Sequence, residues 1–197
     1  ARWDGINFIP LGAGVSNDFN PHVYALATIG TDLYVGGVFT SAGGVAANSI
    51  ARWDGSSWHT LGTGVNNIVY ALATIGTDLY VGGYFTTAGG QAANYIARWD
   101  GSSWHTLGAG VNYYVRALST IGTDLYVGGG FWSAGGKAAN SIARWDGSSW
   151  HTLGTGVNSY VHALATIDTD LYVGGRFTQA GGQAANYIAR WDGSSWH

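Results

Sequence analysis

The stretch Ile50-Ala51-Arg52-Trp53-Asp54-Gly55-Ser56-Ser57-Trp58-His59-Thr60-Leu61-Gly62 recurs along the chain and organises it. Near-identical copies occupy residues 96–108 and 142–154, a truncated copy ends at His197, and a degenerate copy spans residues 1–12. Its Ala-Arg-Trp-Asp-Gly core occurs five times, at spacings of 50, 46, 46 and 46 residues. A constant period of this length indicates one supersecondary unit stacked on copies of itself. We therefore expect one body over residues 1–197, with repeats near 1–50, 51–96, 97–142 and 143–188 and a partial closing repeat at 189–197.

Each repeat contains four short segments with strand character. In the first repeat, apolar and polar residues alternate over Val23–Ile29, and Leu33–Val35 follows a Gly-Thr-Asp turn, so the two predict a hairpin. The third strand is predicted at Ile50–Asp54 and the fourth at Trp58–Leu61, with a Gly-Ser-Ser turn between them. No segment has a helical apolar period, so we expect an all-β chain of four-stranded antiparallel sheets.

The first repeat is longer than the others because of one insertion. Seven residues separate Val15 from Val23, where the later copies have three. The inserted segment contains Asn17, Asp18 and Pro21, which predict a polar turn.

These residues carry a resemblance to a known repeat. Leu-Tyr-Val-Gly-Gly at 33–37, the aromatic Trp53 followed by Asp-Gly, and Trp58 opening the fourth strand resemble the kelch repeat, and more closely the tandem kelch-like repeats of secreted bacterial proteins. The resemblance covers the whole chain and implies a β-propeller, with blades arranged around a central channel. It implies nothing specific about function. The cysteine-linked tyrosine of copper oxidases with kelch-like propellers cannot form here, because the chain has no Cys.

The composition disfavours several classes of protein. The 197 residues are 46% hydrophobic and 10% charged, with a net charge of −3 at pH 7. No apolar run approaches the roughly 20 residues of a membrane-spanning helix, and a net negative charge disfavours nucleic acid, which is held by clustered basic charge. The chain lacks Met and begins and ends inside its own repeat, so we expect a processed or incomplete piece of a longer protein. Abundant Gly, Thr and Asn without Glu suggest a secreted or cell-surface location.

The repeated polar and aromatic residues are interpreted as structural. Two Trp per repeat are expected to pack blade against blade, and each diglycine is expected to allow close backbone approach, with positive φ where required. The Arg and Asp of each Ala-Arg-Trp-Asp-Gly are expected to form an ion pair or a turn hydrogen bond, although a sugar or carboxylate site is the alternative. His59 and its copies are expected at the blade rim, too far apart to share a metal. We therefore predict no catalytic residues, no cofactor and no metal site, and a protein that is not an enzyme.

Positions that differ between the copies are the better candidates for contact. Packing does not dictate them, and exposed aromatic and Arg side chains on a rigid scaffold are typical of binding surfaces. Sequence drift on an unused surface is the alternative. The predicted contact surface consists of Tyr24, Tyr70, Tyr84, Arg116, Trp132, His162 and Arg176.

The first hairpin occurs four times, whereas the third and fourth strands occur five times, so one terminal strand pair is surplus. This predicts a small ring with a redundant end, an arc of a larger ring, or exchange of the spare pair with a neighbouring chain. We favour a non-enzymatic extracellular scaffold that assembles with copies of itself, or with missing repeats of the same chain, through its terminal strands. The alternative is a multivalent glycan-binding propeller of lectin type. Neither hypothesis involves nucleic acid or membrane insertion.

Overall fold

The computed structural model describes residues 1–17 and 20–197. Within these ranges every regular element is a β-strand, which confirms the all-β prediction. Asp18, in the predicted polar turn, lies outside the described residues.

Most strands belong to four antiparallel sheets, which we call blades 1 to 4. In each blade the chain runs through neighbouring strands in order, because short turns join adjacent antiparallel strands. Blade 1 contains His22–Ile29, Asp32–Val38, Ile50–Trp53 and Trp58–Thr60. Blade 2 contains Val69–Ile75, Asp78–Gly83, Ile96–Trp99 and Trp104–Thr106. Blade 3 contains Val115–Ile121, Asp124–Gly129, Ile142–Trp145 and Trp150–Thr152. Blade 4 contains Val161–Ile167, Asp170–Gly175 and Ile188–Trp191, and an isolated bridge from Trp191 to Trp196 takes the place of its fourth strand.

The remaining strands are two residues long. Arg2–Trp3 pairs with Phe8–Ile9, and we call this hairpin the N-terminal pair. The Gly- and Ala-rich connection between the second and third strands of each repeat forms a further small hairpin, which the sequence analysis did not predict. These hairpins pair Ser41–Ala42 with Val45–Ala46, Thr87–Ala88 with Gln91–Ala92, Ser133–Ala134 with Lys137–Ala138, and Gln179–Ala180 with Gln183–Ala184. Val15–Ser16 pairs with Ser41–Ala42.

The hydrophobic core lies between successive blades. Between blades 2 and 3, for example, Ile96 packs with Val115, Leu125 and Val127, and all four side chains are fully buried. The first strands of adjacent blades are in contact, as expected of strands nearest a common axis. Each inter-blade layer therefore takes one sheet face from each of two neighbouring blades.

The tryptophans pack as the sequence predicts. Trp99 and Trp104 lie 5.4 Å apart between ring centroids on one blade, and Trp104 Nε1 donates a 2.8 Å hydrogen bond to the carbonyl of Leu61 in the preceding repeat. The same donor and acceptor recur between the other repeats. Each indole pair therefore ties its blade to the preceding repeat.

The diglycines are required by close approach and not by backbone conformation. A Cβ on Gly82 would collide with Val115 Cγ1 of the next blade, and a Cβ on Gly83 would collide with the carbonyl oxygen of Ile68. Neither residue has positive φ, so that part of the sequence interpretation is wrong. The reason is that both lie in an extended antiparallel strand, where they pair with Ala71 and Val69 on either side of a register shift in the first strand.

The stack of blades does not close into a ring within this chain. On blade 1, Leu26 is 61% exposed, although the equivalent Leu72 and Leu118 are packed against the preceding blade. On blade 4, Ile188 is 66% exposed, although the equivalent Ile96 and Ile142 are fully buried. Each end of the stack therefore presents the sheet face that is covered between blades, and the number of blades in a complete ring stays open.

Candidate functional site

Each blade has two chemically different ends. At the turn end, the first and second strands are joined by a tight turn, as where Ile75 pairs with Asp78. The turn between the third and fourth strands lies at the same end, because Leu79 pairs with Trp99. At the opposite end of the blade, the first strand begins and the second strand ends, as where Val69 pairs with Gly83. We call this the basin end, after the cavity described below.

The repeated charged residues at the turn end pair with one another. Arg98 Nη1 donates a 2.6 Å hydrogen bond to Asp78 Oδ2, and the equivalent pair recurs in every blade. The Arg of Ala-Arg-Trp-Asp-Gly thus pairs with the hairpin-turn Asp and not with the Asp two residues later. The pair forms across strands, because Arg98 lies opposite Tyr80, two residues after Asp78 on the neighbouring strand.

The second recurring Asp holds the turn between the third and fourth strands. Asp100 Oδ1 accepts hydrogen bonds from the backbone amides of Ser102 and Ser103, and His105 Nε2 donates to Asp100 Oδ2 at 2.6 Å. The hydrogen bond from His105 is the main reason that the pKa of Asp100 lies well below its ordinary value. Within the part of the chain that the structure describes, no three His or Asp side chains are grouped so as to hold a metal ion.

The candidate site is a shallow cavity of about 600 Å³ at the basin end of blades 2, 3 and 4. We call it the aromatic basin. Its lining residues are Tyr70, Tyr84, Tyr113, Tyr114, Arg116 and His162. The three residues Tyr70, Arg116 and His162 hold equivalent positions near the start of successive first strands, so the contact between those strands brings them together.

The rings in the basin form a connected set. The rings of Tyr84 and Tyr113 meet edge to face with centroids 5.8 Å apart, and Tyr113 lies 4.9 Å from Tyr114. The Arg116 guanidinium carbon lies 4.6 Å from the centroid of the Tyr70 ring, which is a cation–π contact. Burial raises the pKa of the Tyr114 phenol above its ordinary value of 10.0.

The structure brings together most of the predicted contact surface. Four of its members, Tyr70, Tyr84, Arg116 and His162, line the basin. Two others contact rings of the basin. The ring centroids of Tyr24 and Tyr70 are 5.5 Å apart, and those of Trp132 and Tyr113 are 6.2 Å apart. Arg176 is exposed at the same end of blade 4 and does not line the basin. All seven are exposed except Tyr70, which is half-buried.

Sequence reasoning missed Tyr113 and Tyr114. Both lie in the short loop before the first strand of blade 3, where the other copies have Asn67 and Ile68, or Ser159 and Tyr160. This variation between copies is the same signal that identified Arg116, but the loop was taken only as a spacer. The fold makes these residues important because the loop lies beside the diglycine of the second strand.

The basin end also differs from the turn end in charge. Every aspartate in the described ranges lies at the turn end, either in a hairpin turn or directly after the third strand or its N-terminal counterpart. These aspartates are Asp4, Asp32, Asp54, Asp78, Asp100, Asp124, Asp146, Asp168, Asp170 and Asp192. The basin end carries Arg116 and Arg176. The arrangement therefore offers stacking surfaces, phenol donors and positive charge, which suit binding and not proton transfer between carboxylates.

Within residues 1–17 and 20–197, no helix has the length and apolar character that crossing a membrane requires.

Comparisons with known proteins agree on the fold. A family model described as "Domain of unknown function (DUF5122) beta-propeller" matches residues 79–99, and no curated protein matches the chain. The crystal structure of the computationally designed Ika8 protein is similar at a TM-score of 0.57 and 18% identity, covering 88% of this chain and 47% of that one. The computationally designed Ika4 protein is similar at a TM-score of 0.56 and 16% identity, covering 89% of this chain and 94% of that one.

The chain thus spans about half the length of the first of these structures. The likeness to both concerns the fold alone, since the identities are low. The repeated four-stranded blades, the family match and the structural neighbours lead to one conclusion: the chain is a β-propeller repeat protein.

Proposed function

We propose that the chain is a non-enzymatic interaction scaffold whose copies assemble end to end, in a secreted or cell-surface setting. The observation that carries this proposal is the exposure, at both ends of the stack, of sheet faces whose equivalents are buried between blades. Val23 on blade 1 is 45% exposed, whereas its equivalents Val69, Val115 and Val161 are fully buried.

The two end faces are complementary to each other. Inside the chain, blades 2, 3 and 4 each present a Val that fills the space above the first Gly of the preceding diglycine, as Val115 does above Gly82. On blade 4 the equivalent Gly174 has this space open, and a Cβ added there would have its nearest neighbour 3.9 Å away. Val23 and Leu26 of a second copy fit onto Gly174 and Ile188 by the same contacts. Burying each aliphatic side chain contributes about 1.5–3 kcal/mol, although association also costs translational and rotational entropy.

Docking of blade 4 of one copy on blade 1 of another changes the position of the N-terminal pair. The N-terminal pair corresponds to the third and fourth strands of a blade before blade 1, because the carbonyl of Leu11 accepts from Trp58 Nε1 as that of Leu61 accepts from Trp104. When blade 4 of a second copy docks on blade 1, its own third and fourth strands take the position that the N-terminal pair occupies. The N-terminal pair is the weaker occupant, since Trp3 is 55% exposed and its counterpart Trp99 is 8% exposed. Assembly therefore displaces this pair or exchanges it between copies.

Light scattering on a size-exclusion column tests the proposal. We expect the chain to elute as multiples of 20.6 kDa that dissociate on dilution. Leu26→Asn on the blade 1 face and Gly174→Val on the blade 4 face should each abolish assembly. Val45→Asn is the matched control, because Val45 has the same 45% exposure as Val23 but lies in a small hairpin outside the four strands of blade 1. A wild-type chain that stays at 20.6 kDa up to the highest concentration reached would contradict the proposal.

A second candidate function, glycan binding, is favoured by the aromatic basin. Tyrosine and tryptophan rings stack on the C–H faces of sugars and present polar groups at their edges. Trp132, 62% exposed beside Tyr113, is the ring most open to a ligand. On a glycan array, binding that is lost in Trp132→Ala would support this function, and an array without any bound glycan would count against it.

A further inference from the structure

Arg116 is a cation without an anionic partner in the described structure. The other arginines in blades 1 to 4, apart from Arg176, each pair with an Asp at 2.6–2.9 Å. None of these ion pairs includes Arg116, whose contact is with the face of Tyr70. Among the described residues the Arg116 guanidinium makes no hydrogen bond or ion pair, so its N–H donors can make a bidentate contact with an anion.

The surroundings of Arg116 also favour an anion. No aspartate of the described ranges lies at the basin end, so a negatively charged ligand meets no carboxylate there. The imidazole of His162 lines the same cavity and adds ring nitrogens that can hydrogen-bond a ligand. The phenol of Tyr114 lines the same cavity as Arg116 and adds a hydrogen-bond donor there.

The shape of the basin favours a ligand made of sugar rings over an extended peptide chain. Tyr70, Tyr84 and Tyr113 present several ring surfaces at different angles around one shallow cavity. Pyranose rings stack on such surfaces, and their hydroxyls reach phenol and backbone groups.

We propose that the aromatic basin binds an acidic oligosaccharide, with a sugar carboxylate on the Arg116 guanidinium and neighbouring sugar rings on the tyrosines. The inference rests on the glycan-binding function proposed above and narrows it to one chemical class. It is independent of end-to-end assembly, because Leu26 and Gly174 do not line the basin.

The experiment is a calorimetric titration with a galacturonic acid trimer and with its methyl ester. The ester keeps the sugar rings and removes the negative charge. We expect the acid to bind at least about tenfold more tightly than the ester, as for a charge-assisted hydrogen-bond pair, and to weaken as salt is raised.

Two variants locate the charge that is responsible. Arg116→Tyr should reduce binding of the acid to the level of the ester. The blade accepts this change because the equivalent positions in blades 1 and 2 are Tyr24 and Tyr70. Lys137→Gln removes the same charge from an exposed hairpin outside the basin lining and should leave binding unchanged.

Equal binding of acid and ester would overturn the acidic class and leave glycan binding standing. Failure of both trimers to bind would overturn this inference. The glycan array described above tests separately whether the basin binds any glycan. Binding of a polyglutamate peptide through Arg116, without binding of the acid trimer, would overturn the assignment to a saccharide.

Discussion

Gly82 of blade 2 lies directly beneath Val115 of blade 3, and a Cβ on Gly82 would collide with Val115 Cγ1. Gly174 holds the same place in blade 4, where a Cβ would have its nearest neighbour 3.9 Å away. We expect Gly82→Val to lower the free energy of unfolding by about 3 kcal/mol through overpacking. The matched Gly174→Val should change it by less than about 0.5 kcal/mol in the dilute monomer. Urea unfolding of both variants checks this, and equal losses would show that backbone strain, and not the next blade, is the cause.

Trp104 Nε1 donates to the buried carbonyl of Leu61 across the boundary between repeats. Trp104→Phe should cost about 1–3 kcal/mol, because it leaves this carbonyl without a partner. Trp58→Phe removes the equivalent bond to Leu11, whose half-exposed position gives the carbonyl access to water, and should cost less. Thermal unfolding followed by far-ultraviolet circular dichroism compares the two. A larger loss in Trp58→Phe would contradict this account.

Asp168 adopts φ of 53°, in a turn position where Gly30, Gly76 and Gly122 adopt φ of 58°, 59° and 59°. A left-handed conformation is costly for a residue with a Cβ, although Asp tolerates it better than most. Asp168→Gly should therefore stabilise the fold by about 0.5–1 kcal/mol. Gly76→Asp is the reverse change, and it should destabilise by a similar amount, since no atom lies within 4 Å of the added Cβ. Urea unfolding should show that the two variants change the free energy of unfolding in opposite directions. Changes in the same direction would refute the argument.

Acid should weaken the fold through the His–Asp pairs. Hydrogen bonds from His59, His105, His151 and His197 lower the pKa values of their Asp partners below the ordinary 3.8. A folded-state pKa below the unfolded one contributes stability above the unfolded pKa, and this contribution is lost as the pH falls through the folded value. The free energy of unfolding should therefore fall between about pH 4 and about pH 2. Asp100→Asn should make this fall smaller than in the wild type, and an unchanged pH dependence would exclude a contribution from Asp100.

Much of the fold could be predicted from the sequence. The alternation over Val23–Ile29, the diglycine and the repeated Trp pairs are local features, and each recurs with the same spacing, so strands, turns and the blade pattern followed from them. The small hairpin at Ser41–Ala46 was missed because its Gly- and Ala-rich residues carry no alternating pattern. Buried Phe39, two residues after the diglycine, belongs to the same connection and shows that it is packed and not a free loop.

Less of the candidate site could be predicted. Variation between copies identified Tyr70, Arg116 and His162, but the grouping of the three depends on first strands lying side by side. Arg98 was expected to serve structure, yet its partner Asp78 is 20 residues away along the chain and could not be identified from local spacing.

The sequence alone determined the β-propeller repeat, because a period of 46 residues and two-residue alternation are properties of the chain itself. Only the tertiary structure decided that the ends of this chain present open faces, that Gly174 lacks the neighbour that Gly82 has, and that aromatic rings from three blades converge on Arg116. Those relations depend on contacts between residues from different repeats, and the distances that govern such contacts are defined only once the blades have packed.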